Sequence, residues 1–227
     1  MATERQVSMA QFRADLDTIN PTRGISEIVV HHTWSPDAAA YRGLETVRAV
    51  RRYHVEVRGW SDNGYHVMIG PSGAIFLCRP IEQPGAHTAG RNAHSVGVSF
   101  IANFDRDEPG SYAGLRAGQE VVAALLERFE LDANAIRFHR EFANKTCPGL
   151  KLGLAEFRRQ VEAAGSRANP ARPKVVLLPG GEVIECHAAV EDGVTRVDLR
   201  PVAEALGWAV HDRLKEQGKV YVVKGEG

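Results

Sequence analysis

Three side chains in this sequence have the types and the placement to hold a transition metal. His31 stands in the segment IVVHHTW, and His139 and Cys147 share the segment FHREFANKTCPG. Two imidazole nitrogens and one thiolate suit zinc, and three protein ligands leave the fourth tetrahedral position open to water, the pattern of a catalytic rather than a structural site. One zinc ion is therefore the expected cofactor. Each residue alone has a plainer reading: a hydrogen-bonded histidine at a strand end, a satisfied loop histidine, a packed thiol before Pro-Gly. Their joint placement near loop edges of one predicted sheet favours the metal.

The elements that must position these residues read as an α/β fold. The apolar run Ile28-Val29-Val30 predicts a buried strand over 26–32, and it leaves His31 and His32 at the carboxyl end, where open α/β sheets bind ligands. Neighbouring strand residues point to opposite faces, so only one of the two histidines is expected on the metal. Leu44, Val47 and Val50 recur at helical spacing, which predicts a helix over 44–57 closed by Gly59. Two apolar runs, 65–69 and 74–78, flank Gly70-Pro71-Ser72-Gly73 and predict a hairpin. SVGVSFI over 95–101 predicts a strand that alternates around small residues. Val121, Val122, Leu125, Leu126 and Phe129 mark an amphipathic helix over 119–131. A short strand over 135–138, the loop 139–147 and a helix over 152–164 complete this unit.

Composition narrows the function classes. The 227 residues carry 28 Lys+Arg against 28 Asp+Glu, so no basic footprint argues for nucleic acid or for an anionic membrane. Three cysteines without a CxxC pair suit a reducing compartment of synthesis. Cys78, in AIFLC, reads as a core hydrophobe. The first residues are polar and of mixed charge, with no apolar signal segment and no span for a bilayer. Residues 165–173, rich in Pro, Ala and Arg, read as a linker. Residues 174–227 then form a small α+β unit with strands over 174–178, 183–187 and 219–223 and a helix over 197–206.

Four blocks in order, IVVHHTW, GWSDNGYHVMIGPSGAIFLCRP, GAHTAGRNAHSVGVSFIANFD and HREFANKTCPG, resemble the zinc-dependent N-acetylmuramoyl-L-alanine amidases, the family of phage lysozyme-type amidases and peptidoglycan recognition proteins. The resemblance implies a central mixed β-sheet flanked by helices over residues 1–164. It implies His31, His139 and Cys147 as the zinc ligands. Tyr65 matches the tyrosine that lies beside the metal-bound water in active members, and Lys145 matches the catalytic lysine of the phage enzymes. His87 and Asn92 match a loop that lines the family's substrate groove. His32, Trp34 and Arg79 are expected along the same groove, Trp60 either there or in the core, and His54 and His66 in structural roles. Glu141 is expected to orient a ligand rather than to bind metal.

The implied activity is hydrolysis of the amide between N-acetylmuramic acid and L-alanine, with bacterial peptidoglycan as the partner. Without a signal segment, the expectation is an endolysin made in the cytoplasm and released to the wall through a holin-type pore. A cytoplasmic muropeptide-recycling amidase and a non-catalytic recognition protein are the alternatives. The tail, through VDLRPVAEALGWAV, resembles the small repeat domain of bacterial surface proteins named for the copper amine oxidase N-terminus. That likeness implies no copper. It leaves a wall-binding module and a stability or oligomerisation domain as the two readings.

Overall fold

A computed structural model describes residues 4–168 and four short strands further on, Ala188–Glu191, Val194–Val197, Ala209–Val210 and Val222–Val223. The chain divides into two compact units, Met1–Gly165 and Ser166–Gly227. No helix among the described residues is long and apolar enough to cross a membrane.

The first unit is built on six strands: β1 (Arg5–Val7), β2 (Glu27–His32), β3 (Val67–Ile69), β4 (Ile75–Leu77), β5 (Ser95–Phe100) and β6 (Ile136–Phe138). Their spatial order is β1-β4-β3-β5-β2-β6. The β3, β5, β2 and β6 strands run parallel, while β4 and β1 add antiparallel edges. Four α-helices flank the sheet: α1 (Met9–Thr18), α2 (Leu44–Arg52), α3 (Gly114–Arg128) and α4 (Leu154–Ala168). The fold is the mixed sheet with flanking helices expected above.

Burial explains the arrangement. Every residue of β2 and β5 is buried, as central parallel strands require. The β5 strand alternates by size. Val96, Val98 and Phe100 join the large core with Phe12 and Leu16 of α1, Val121, Val122 and Leu125 of α3, and Phe157 and Val161 of α4. The intervening Ser95, Gly97 and Ser99 are small. The other face carries a lesser core, in which Val47 and Val50 of α2 meet Met68, Phe76, Cys78 and Ile101. Cys78 is buried and free, as its sequence context suggests.

Several boundaries differ from the sequence reading, among them α3, which runs over Gly114–Arg128 where 119–131 is expected. The amino-terminal segment forms α1 and, before it, β1, which pairs Gln6 with Phe76; three residues with one apolar position carry no readable strand pattern. Its helix is set by a capping box, with Ser8 accepting from the Gln11 amide and the Gln11 side chain accepting from the Ser8 amide. The helix expected over 44–57 is α-helical only to Arg52, and Tyr53–Val57 continue as a π-helical turn. The last helix runs to Ala168, past the expected start of the linker. In the second unit Ala188–Glu191 pairs antiparallel with Val194–Val197, and Val222–Val223 with Val210 and Ala209. The strands expected at 174–178 and 183–187, and most of the helix at 197–206, lie outside the described residues. Val197 itself ends a strand.

The π-helical turn brings His54 under the Trp60 ring, stacked at 4.7 Å, where its Nδ1 accepts the Gly64 amide at 3.1 Å. His66 accepts the Gly97 amide on Nδ1 at 2.9 Å. Burial holds His54 down to about 4 and His66 to about 3, against an ordinary 6.5. In the unfolded chain both take up protons near pH 6.5. Between the folded and unfolded values the unfolded state therefore binds more protons, so stability is full above pH 6.5 and declines as pH falls toward 4. Thermal midpoints across this window should fall before the carboxylates titrate; a flat profile from pH 7.5 to about 5 would contradict the assignment.

Candidate metal centre and groove

Two adjacent parallel strands end on one edge of the sheet. Register pairs Val30 with Phe138, so His31 of β2 comes beside His139, the first residue after β6. Their ring centroids are 4.6 Å apart. The loop after β6 then returns Cys147, whose Sγ lies 3.6 Å from His31 Nδ1. One ligand atom from each of His31, His139 and Cys147 falls within 4.8 Å of the others. A tetrahedral zinc with ordinary Zn–N and Zn–S bonds places neighbouring nitrogen and sulfur ligands about 3.5 Å apart. The donor set and its spacing fit that ion.

The loop that carries two of the three ligands is held by its own residues. Glu141 Oε1 accepts the Phe138 amide at 2.6 Å, and its carboxylate pairs with Arg137 at 2.7 Å, which shapes the turn presenting His139. Glu141 thus meets this loop through the Phe138 backbone and the Arg137 side chain. Arg140 donates from its amide to the Cys147 carbonyl at 2.7 Å and from its guanidinium to Gly149 and Leu152 carbonyls, both at 2.8 Å. Gly149 has φ +117°, and a Cβ there would sit 2.4 Å from the Phe104 backbone, so this turn admits only glycine. The His32 amide donates to Cys147 Sγ at 3.4 Å.

Electrostatics keep the cluster neutral before a cation arrives. Burial pushes His31 well below its usual range, with His87, His139, His32 and Lys145 adding repulsion. Burial, then Lys145 and His32, lowers His139 to about 4. Burial pushes the Cys147 thiol up to about 12, opposed by the His32 amide and by Lys145. A cation held by Cys147 would reverse that thiol shift, since metal-coordinating thiols are deprotonated outright.

One cavity opens on the cluster, and a larger one adjoins it through shared lining residues. The smaller, about 380 Å³, is lined by His32, Thr33, Trp34, Tyr65, His139, Lys145, Thr146 and Cys147. The larger, about 860 Å³, shares Thr33, Trp34, Tyr65 and Lys145 and runs along α2 past Arg42, Glu45 and Tyr53. Tyr65 packs its ring 5.2 Å from His31; burial raises its phenol above the usual range, the Cys147 charge adds, and Ser99 opposes. Trp34 stands 59 % exposed at the rim, held at φ 60° by its amide bond to the Ala102 carbonyl. Tyr65, Lys145, Trp34 and His32 therefore share one space with His139 and Cys147, and His31 lies buried beneath it. His32 reaches it as a wall, its Nδ1 accepting the Phe104 amide at 3.1 Å.

Three other expected groove residues face elsewhere. Arg79 is buried and donates to the carbonyls of Asn63, Pro84 and Asp62, tying loops together. Asn92 Oδ1 accepts the amides of His87 and Thr88, both at 2.9 Å. His87 is buried behind His31, away from both cavities. A motif gives the identity of a loop residue but not the side toward which its side chain turns. Trp60 stacks on His54 and crowds Gly64, which places it in the packing. Sequence reasoning missed Arg140 and Thr88, whose roles come from contacts that no spacing announces.

Residues 21–150 match the model of the family described as N-acetylmuramoyl-L-alanine amidase. The chain belongs to that family. Among its relatives, Peptidoglycan-recognition protein SC1a of Drosophila melanogaster is 31% identical over 132 residues, covering 56% of this chain and 70% of that one. The N-acetylmuramoyl-L-alanine amidase of Homo sapiens is 31% identical over 127 residues, which cover 54% of this chain but 22% of the human protein. Among solved structures, the Ph2119 endolysin from a Thermus scotoductus bacteriophage superposes with a TM-score of 0.52 at 25% identity, over 63% of this chain and 88% of the endolysin. The amidase family match ends before α4 and leaves the second unit unmatched.

Proposed function

We propose that this protein is a zinc-dependent amidase that hydrolyses the bond between N-acetylmuramic acid and L-alanine in bacterial peptidoglycan. The observation that carries the reading is the cluster of His31, His139 and Cys147, two of which, His139 and Cys147, line one cavity with Tyr65 and Lys145. Membership of the amidase family and the likeness to a phage endolysin support it. The chemistry that zinc supplies when bound is Lewis acidity, which acidifies water and polarises an amide carbonyl.

The chain's own residues supply the rest. The groove beside α2 takes the substrate and orients the scissile amide toward the ligand edge. Tyr65 and Lys145 line the cavity in which the carbonyl oxygen gains charge, and either stabilises that oxyanion. Either also has a proton to give the departing amine of alanine. The buried walls around His31 and Cys147 limit water, which strengthens both effects. Action on the wall after release from the cell of synthesis belongs to the same proposal, as does a tethering role for the second unit, which would raise local substrate concentration.

The test is direct. Purified sacculi are incubated with the protein, with and without a chelator, and new ends are identified by mass spectrometry. Release of free L-alanine amino termini that stops on chelation and returns with zinc is the expected result. Binding to sacculi without cleavage would replace the enzyme reading with a recognition protein.

A further inference from the structure

Behind the metal edge, two buried histidines that the proposed reaction does not use, His87 and His66, continue a row begun by two of the ligands. His139, His31, His87 and His66 follow one another with centroid separations of 4.6, 5.0 and 5.7 Å. His31 Nδ1 faces Cys147, and its other nitrogen, Nε2, points inward to His87 Nδ1 at 3.1 Å and to Thr88 Oγ1 at 3.3 Å. His87 Nε2 in turn lies 3.4 Å from Ser95 Oγ, which donates to the Arg91 carbonyl at 2.8 Å. That carbonyl can only accept. If the Ser95 hydroxyl gives its proton to it, Ser95 receives from His87 Nε2–H, which leaves His87 Nδ1 without a proton and ready to receive from His31 Nε2–H. Thr88 Oγ1 also lies 3.0 Å from His87 Nδ1; with its proton given there, it too accepts from His31 Nε2–H, which leaves the His31 Nδ1 lone pair free.

The space for this row is built, not incidental. A Cβ on Gly97 would lie 2.5 Å from the His87 ring, and one on Gly85 would lie 2.4 Å from it. Two glycines thus form the slot that holds the imidazole. Asn92 fixes the backbone at both ends of the His87–Thr88 step through the amides named above. His87 is 7% exposed, so its ring is not presented to a ligand in the groove.

We infer that His87, assisted by Thr88, is a positioning residue that fixes the tautomer and ring orientation of His31, so that Nδ1 is the ligating atom. The inference rests on the zinc reading above for its purpose, but not for its first test. Partners of this kind hold a ligating histidine by its second nitrogen, and their loss costs tenfold to a hundredfold in metal affinity.

The first measurement uses the full chain, metal-free and labelled with ¹⁵N in its histidines. Long-range nitrogen–proton spectra should show both His31 and His87 as Nε2–H tautomers. A His87 protonated on Nδ1 would overturn the inference whether or not zinc binds. The second titrates zinc against a chromophoric chelator. His87→Leu, which keeps volume but removes the acceptor, should weaken zinc tenfold to a hundredfold. His87→Asn, which returns an acceptor oxygen near the Nδ1 position, should recover most of that loss. Equal affinity in folded His87→Leu and in the unsubstituted protein would also overturn it. Failure of the unsubstituted protein to bind zinc at all would instead sink the metal reading, and the tautomer spectra would still decide the role of His87.

Discussion

Cys147→Ser should leave the fold standing and empty the metal centre. The substitution is nearly isosteric at a buried position, and the His32 amide that donates to Sγ retains an acceptor. A serine hydroxyl, however, stays protonated and is a poor zinc donor where a thiolate is a strong one. Loss of an outer partner costs up to about a hundredfold in affinity. Loss of a direct ligand should exceed that, to about a thousandfold or more, and amide hydrolysis should fall below detection. Metal content after dialysis, read beside the circular dichroism spectrum, separates loss of zinc from loss of structure. A folded Cys147→Ser protein with one tightly held zinc would remove Cys147 from the ligand set.

Tyr65→Phe and Lys145→Ala should show the opposite pattern, with zinc retained and turnover lost. Tyr65→Phe keeps the ring that packs against His31 and His54 and deletes only the hydroxyl. Lys145 is exposed at the mouth of both cavities, so its truncation should change stability by less than about 0.5 kcal/mol. Removal of one donor to a developing oxyanion typically costs about 10² to 10³ in kcat. Each variant should lose turnover on that scale with KM for soluble muropeptides nearly unchanged. The double variant should lose less than the product of the two, since groups that serve one charge are not independent. A Lys145→Ala enzyme at full rate would leave Tyr65 as the sole oxyanion donor of this pair.

Much of this was legible in the residues. The strands that carry the site announced themselves through β-branched runs and turn glycines, and Ile28-Val29-Val30 placed His31 at the edge that matters. Helical periodicity located α2, α3 and α4 to within a few residues. What stayed hidden were features decided by long-range contact. The β1 strand exists because the edge of β4 has hydrogen bonds to offer, not because Arg5-Gln6-Val7 prefers to be extended. The end of α2 becomes π-helical, and no pattern of apolar spacing announces such a turn. In the candidate site, residue type identified the donors, but orientation sorted the rest. Trp34 and His32 line the cavities, while Arg79, His87 and Asn92 spend their polar atoms inside the protein.

The size alternation along β5 divides one strand between two tasks. Val96, Val98 and Phe100 fill volume in the large core, whereas Ser95 and Gly97 leave volume empty for the His87 ring and its bonds. A change at Val98 is therefore answered by folding free energy alone, whereas a change at its neighbour Gly97 also presses on the His87 ring. Tolerance to substitution should run in stripes along this strand, with adjacent positions obeying different rules. On the amidase reading, the demands of folding and the demands of the site fall on alternate residues of the same six.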